Sequence, residues 1–180
     1  MSVRLAALVL SVFAWVQTPA PAKHYASSRE CGFSFDYPGD WVPTPVEGKV
    51  PCRVRLRPTD FAARVKEDDV DVFTLEVGRD SSDFLQAAGQ GFDFIDGKWV
   101  TLGRANTEAT VVLTEHWSGL RGTAASGCSR QSDGAYAGLC DRDVLVLRDR
   151  DTDDVWSMVS APQAGAVFRS ILATFKFTKG

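Results

Sequence analysis

The sequence predicts an α+β domain, an antiparallel or mixed sheet covered by helices. Three observations lead there. Stretches of alternating apolar and polar residues outnumber those at helical spacing. The helical stretches fall early, in the middle and last, so covering layers are at hand. The last one carries an apolar stripe that a pure sandwich of two sheets would leave without a role.

Each element has its own signal. Residues 32–37 read as the first strand, because Phe33, Phe35 and Tyr37 alternate with Ser34 and Asp36. Pro38, Gly39 and Asp40 turn the chain. Trp41 and Val42 fold back onto the core, and Pro43 and Pro45 keep the connection extended. A second strand spans 52–56, with Cys52, Val54 and Leu56 on one side. Arg53, Arg55 and Arg57 then share the solvent face, since the strand period is two. Three stacked guanidinium groups could also hold an anion or a partner's carboxylates.

Asp60 is placed to cap a helical turn over 60–66, and 70–77 returns to strand with Phe73, Leu75 and Val77 on one face. Ser81 or Ser82 is the expected cap of a helix reaching Ala88, with Phe84, Leu85 and Ala88 at helical spacing. A short strand is expected at 99–102. A stronger one covers 109–117, where Thr110, Val111, Val112 and Thr114 are β-branched. The glycine- and alanine-rich stretch 119–128 suits a close strand crossing or a mobile loop. Further strands are expected at 136–140, 144–147 and 156–159, with a polar turn at 149–154. The closing helix, 163–175, gathers Val167, Phe168, Ile171, Leu172 and Phe175 on one side.

Residues 1–22 read as a cleaved secretory leader. Arg4 precedes an apolar run over 5–16, and Ala20-Pro21-Ala22 offers small residues to a signal peptidase. The run is shorter than the roughly 20 residues a membrane span needs, so no stable membrane insertion is expected after cleavage. Residues 23–30 read as a short flexible lead-in and 31–180 as one domain. Without the leader, lysine plus arginine falls from 20 to 19 against 23 acids, a net charge of −4. A duplex-binding protein needs a basic face, so nucleic acid is not an expected partner. Cys31, Cys52, Cys128 and Cys140 imply two disulfides in an oxidising compartment. Four cysteines allow three pairings. Cys31–Cys52 and Cys128–Cys140 are favoured because each pair closes a short local segment. The expected location is periplasmic or secreted.

The segments GFSFDYPGDW, from Gly32 to Trp41, and VFRSILATFKF, from Val167 to Phe177, resemble the first strand-and-turn and the terminal helix of the PsbP/Mog1-like superfamily. The likeness covers about a third of the residues. It implies a curved, mainly antiparallel sheet flanked by helices, an α/β/α sandwich. It also implies accessory, protein-binding roles and names no catalytic residue.

The chemistry-bearing residues narrow the choice. Only His24 and His116 are present, and no G-x-S-x-G elbow occurs. Taken as strand residues, Glu115 and Trp117 point away from His116, so Glu115 is a poor orienting partner for a triad. Cysteine catalysis is closed if the thiols are bridged. Asp149, Asp151 and Asp153 alternate as the first ligands of a calcium loop do, but Asp154 and Ser160 stand where glycine and glutamate belong. A solvated turn is the simpler reading, and whether a cation binds there is left open. No nucleotide-binding loop is present, and no metal or other cofactor is expected. The sequence thus points to an exported, non-catalytic accessory or protein-binding protein, with Trp99, Trp117, Leu120 and Arg121 as candidate interface residues. A secreted carboxylate hydrolase and a small-ligand carrier with an apolar cavity are the alternatives.

Overall fold

A computed structural model describes residues 20–47, 52–80, 83–104 and 106–177. The leader falls mostly on 1–19, outside the described residues. Among those described, strand makes up 52% and helix 16%, in twelve strands, three sheets and three helices.

The centre is a seven-stranded antiparallel sheet. Its order is β3 (Trp41–Pro45), β4 (Arg53–Pro58), β5 (Leu75–Arg79), β11 (Val155–Ser160), β10 (Tyr136–Asp149), β9 (Trp117–Ser129) and β8 (Thr110–Leu113). A second sheet joins β1 (Ala22–Ala26), β2 (Phe33–Pro38) and β12 (Lys176–Phe177). A third is the hairpin of β6 (Phe92–Ile95) and β7 (Lys98–Thr101). The helices are α1 (Phe61–Asp68), α2 (Phe84–Ala88) and α3 (Gly165–Thr174).

Alternation sends side chains to two cores, one on each face of the large sheet. On the inner face Leu56, Leu75, Leu145 and Met158 meet Phe33 and Phe35 of β2 and Val167, Phe168 and Ile171 of α3. Fully burying a side chain such as Phe168 or Ile171 contributes about 1.5–3 kcal/mol. On the outer face Leu120, Ala124, Val144 and Val146 meet Ala87 and Ala88 of α2 and Phe92 of β6.

The helix-flanked α/β/α sandwich is therefore corrected to a β-rich fold. The inner layer is a three-stranded sheet joined by one helix. The outer layer is a five-residue helix and a hairpin. The stretch expected as a crossing or mobile loop, 119–128, belongs to β9, the long partner of β10. Its glycines are needed there. A Cβ at Gly119 would collide with the Val146 carbonyl, and one at Gly122 with the Thr101 methyl. Small residues thus let β10 and β7 approach a continuous strand. Residues 23–30, read as a lead-in, also differ: Ala22–Ala26 pairs along β2 from Ala22↔Pro38 to Ala26↔Ser34.

Most of the smaller differences trace to local hydrogen bonds. The strand expected over 109–117 breaks at a turn, where Thr114 N donates to the Trp117 carbonyl (2.8 Å) and Trp117 N to Thr114 Oγ1 (3.0 Å). The cap of α2 is Asp83, whose carboxylate accepts from Gln86 N at 2.9 Å, whereas Ser81 and Ser82 lie outside the described residues. Asp60 precedes α1 but gives its carboxylate to Arg64 Nε (2.7 Å) instead of a cap. The final helix stops at Thr174, and Phe175 is extended, feeding β12.

Candidate functional site

An antiparallel sheet that is not closed ends in two rows of unused backbone groups. Here those ends are β3 and β8. Proline has no N–H to offer a further strand, and β3 carries Pro43 and Pro45. Its Val42 and Thr44 lie opposite Arg57 and Arg55. The β8 edge has the reverse character. Thr110–Leu113 holds no proline and no charge, and among the described residues it pairs with β9 alone. Val111 and Leu113 are 65% and 70% exposed. They stand opposite Leu120 and Ser118 on the outer face.

The apolar exposure continues along the chain. Ala109 N donates to the Trp99 carbonyl at 2.9 Å, and a bridge joins Val100 to Glu108. Trp99 meets Phe94 edge-on at 5.3 Å between ring centres. Phe94 and its neighbour Ile95 are exposed. Strand pairing therefore connects Phe94, Trp99, Val111 and Leu113 in one series beside the open edge.

The inner face of the same edge is hollow. A cavity of about 210 Å³ opens between β8, β9 and the end of α3, walled by Val112, Trp117, Leu147, Trp156, Leu172 and Phe177 among others. Trp117 stacks on Phe177 at 4.0 Å. A wider recess shares Trp117, Trp156 and Phe177 with it and is rimmed by His116 and Lys176.

The residues singled out in the sequence are dispersed. Trp99 and Trp117 are half-buried, one at the hairpin and one in the cavity wall. Leu120 is 2% exposed and packs in the outer core, so no partner can reach it. Arg121 is half-buried on the inner face, its guanidinium 5.8 Å from the Phe168 ring centre. Cys31–Cys52 and Cys128–Cys140 are bridged, with Cα separations of 5.2 and 5.8 Å. Two disulfides suit an oxidising, extracytoplasmic setting. No helix among the described residues is long and apolar enough to cross a membrane.

His116 sits in the turn before β9, its Nδ1 3.5 Å from Asp151 and its Nε2 4.0 Å from Glu115. His24 belongs to β1, with Nδ1 2.7 Å from Asp36 Oδ1. The alternating aspartates face different partners. Asp149 accepts from the backbone of Asp151 and Thr152, Asp153 from Arg148, and Asp151 faces His116. Among the described residues no three His, Cys, Asp or Glu side chains gather as metal ligands do.

The hairpin and the open edge escaped the sequence reading. Asp96-Gly97 signals the hairpin, since an Asp-Gly pair favours a two-residue turn with positive φ at both positions. The observed values are 50° and 79°. Nothing in TVVL says that its strand ends a sheet. No family model matches the chain, and no curated protein matches it in sequence.

Proposed function

We propose that this is an exported, non-catalytic accessory protein of the bacterial envelope, periplasmic or secreted, that binds another protein along β8. A single observation carries the reading: an unblunted sheet edge bearing exposed Val111 and Leu113. In strand addition, backbone hydrogen bonds supply affinity and alternate side chains supply specificity. An extended partner segment would lengthen the sheet and cover the Phe94–Trp99 side of that edge. Contiguous apolar exposure of this kind marks interaction surfaces. The leader supports export.

The test is affinity capture from envelope extract with the mature protein and with a Val111→Lys, Leu113→Lys double variant. A partner held by the first and lost by the second is expected. The same partners on both would refute the placement.

The cavity behind Trp117 favours a second reading, a carrier of small apolar ligands. An apolar protein cavity of roughly 150 Å³ accepts benzene, and this one is larger. Trp117→Ala should then change binding of a small aromatic probe while Val111→Lys does not. The hydrolase reading has no comparable observation behind it, since the acids near His116 lie on an exposed turn.

A further inference from the structure

The two disulfides sit in unlike surroundings. Cys31 and Cys52 are both half-buried, and both pack against the inner core. Cys128–Cys140 instead ties β9 to β10 on the outer face. Every second side chain of a strand points the same way. The register sets Cys140 opposite Ser126 and Arg142 opposite Ala124, so Cys128, Cys140, Ser126 and Arg142 share that face. The two sulfurs of this bridge are themselves unequal. Cys128 is 2% exposed, whereas Cys140 is half-buried.

Arg142 touches the buried sulfur. Its Nε donates to Ser126 Oγ at 2.7 Å, which fixes the guanidinium, and its Nη2 donates to Cys128 Sγ at 3.8 Å. An open groove of about 460 Å³ leads to this point, lined by Gly127, Cys128, Ser129 and Arg142 among others. The groove's carboxylates, Asp71 and Glu76, are held by Arg57 and Arg55. The charged group that meets sulfur is therefore the guanidinium.

We propose that Cys140 is a site of thiolation by a small thiol, with Cys128 as the leaving group. The thiolate attacks Cys140 Sγ and forms a new S–S bond there. The Cys128–Cys140 bond breaks, and its electron pair leaves on Cys128. The incoming sulfur is oxidised and Cys128 is reduced, so no further reagent is needed. Two features set this direction. Exchange favours the accessible sulfur as the point of attack, and it favours the leaving thiol of lower pKa. Burial alone would disfavour a Cys128 thiolate, but a cation in contact with the sulfur stabilises it. Cys140 is only half-open between two strands, which suits a small thiol. The site is separate from the β8 edge.

The experiment treats the mature, disulfide-intact protein with reduced glutathione for short times. Acid stops the exchange, a maleimide caps the free thiols, and peptide masses give the fate of each cysteine. Glutathione on Cys140, maleimide on Cys128 and an intact Cys31–Cys52 bridge are expected. Arg142→Gln should slow the opening about fivefold, because the leaving thiolate loses its cation. Arg142→Lys, which keeps the charge, should recover part of that rate. The Val111→Lys, Leu113→Lys variant should react as the parent does. Glutathione on Cys128 as often as on Cys140 would overturn the proposal, and so would a Cys31–Cys52 bridge that opens as fast. An unchanged rate in a folded Arg142→Gln protein would overturn it as well. The first two outcomes are read on the parent, so they decide the matter even where Arg142→Gln does not fold.

Discussion

The two ends of the large sheet are built to opposite rules. At β3 the outermost strand is blunted by two prolines, flanked by arginines and anchored by buried Trp41. A disulfide from Cys31 to Cys52 fastens this end to the segment before β2. At β8 the outermost strand is four residues long, uncharged and apolar, with neither proline nor disulfide. Proteins usually protect such edges against unwanted pairing. Protection at one end and exposure at the other is the asymmetry on which the proposed partner binding rests.

The contrast can be broken from either side. The largest effect should come from Trp41→Ala, which removes a buried anchor at the protected end and should cost about 3–5 kcal/mol. Chemical denaturation would measure it. Opening the Cys31–Cys52 bridge with serine at both positions closes no loop over its 21-residue separation and should cost about 3 kcal/mol. Cys128–Cys140 serves as the like-for-like reference. Replacing Pro43 and Pro45 by valine restores two N–H groups to β3. That variant should self-associate in sedimentation where the parent does not.

At β8 the effects should be functional, not structural. Val111→Lys with Leu113→Lys should leave stability within about 0.5 kcal/mol per site, as exposed substitutions do, while abolishing partner capture. The smallest effect lies at the β9–β10 tip. There the Arg130 guanidinium, helped by Ala135 N–H, holds the Asp133 carboxyl below the usual carboxylate range. A lowered folded-state value gives a contribution present above the ordinary carboxylate pKa and lost as pH falls through the lowered one. Asp133 lies at the solvent surface, so Asp133→Asn should remove only a slight acid-side slope from the stability profile.

Much of this architecture was legible in particular residues. Phe33, Phe35 and Tyr37 mark β2 because a half-buried strand must alternate. The stripe from Val167 to Ile171 marks α3 because a helix must bury one face. The layers around them were not legible. A sheet and a helix can each cover an apolar face, and strand patterns do not reveal which sheet a strand will join. Gly119 and Gly122 illustrate the difficulty: loop-like in composition, they are required by close packing against Val146 and Thr101. The candidate site was less legible still. Trp99 is the half-buried member of the apolar series, and Trp117 lies behind it. Leu120, though, is core, and Val111 and Leu113 gain their meaning only from an edge position that depends on the whole sheet order.

A photo-crosslinking amino acid placed at Val111, and separately at Val42 on the other edge (46% exposed), tests the asymmetry in the native compartment. A discrete adduct from position 111 and none from position 42 is the expected result. Adducts of equal yield from both, or none from position 111, would contradict it.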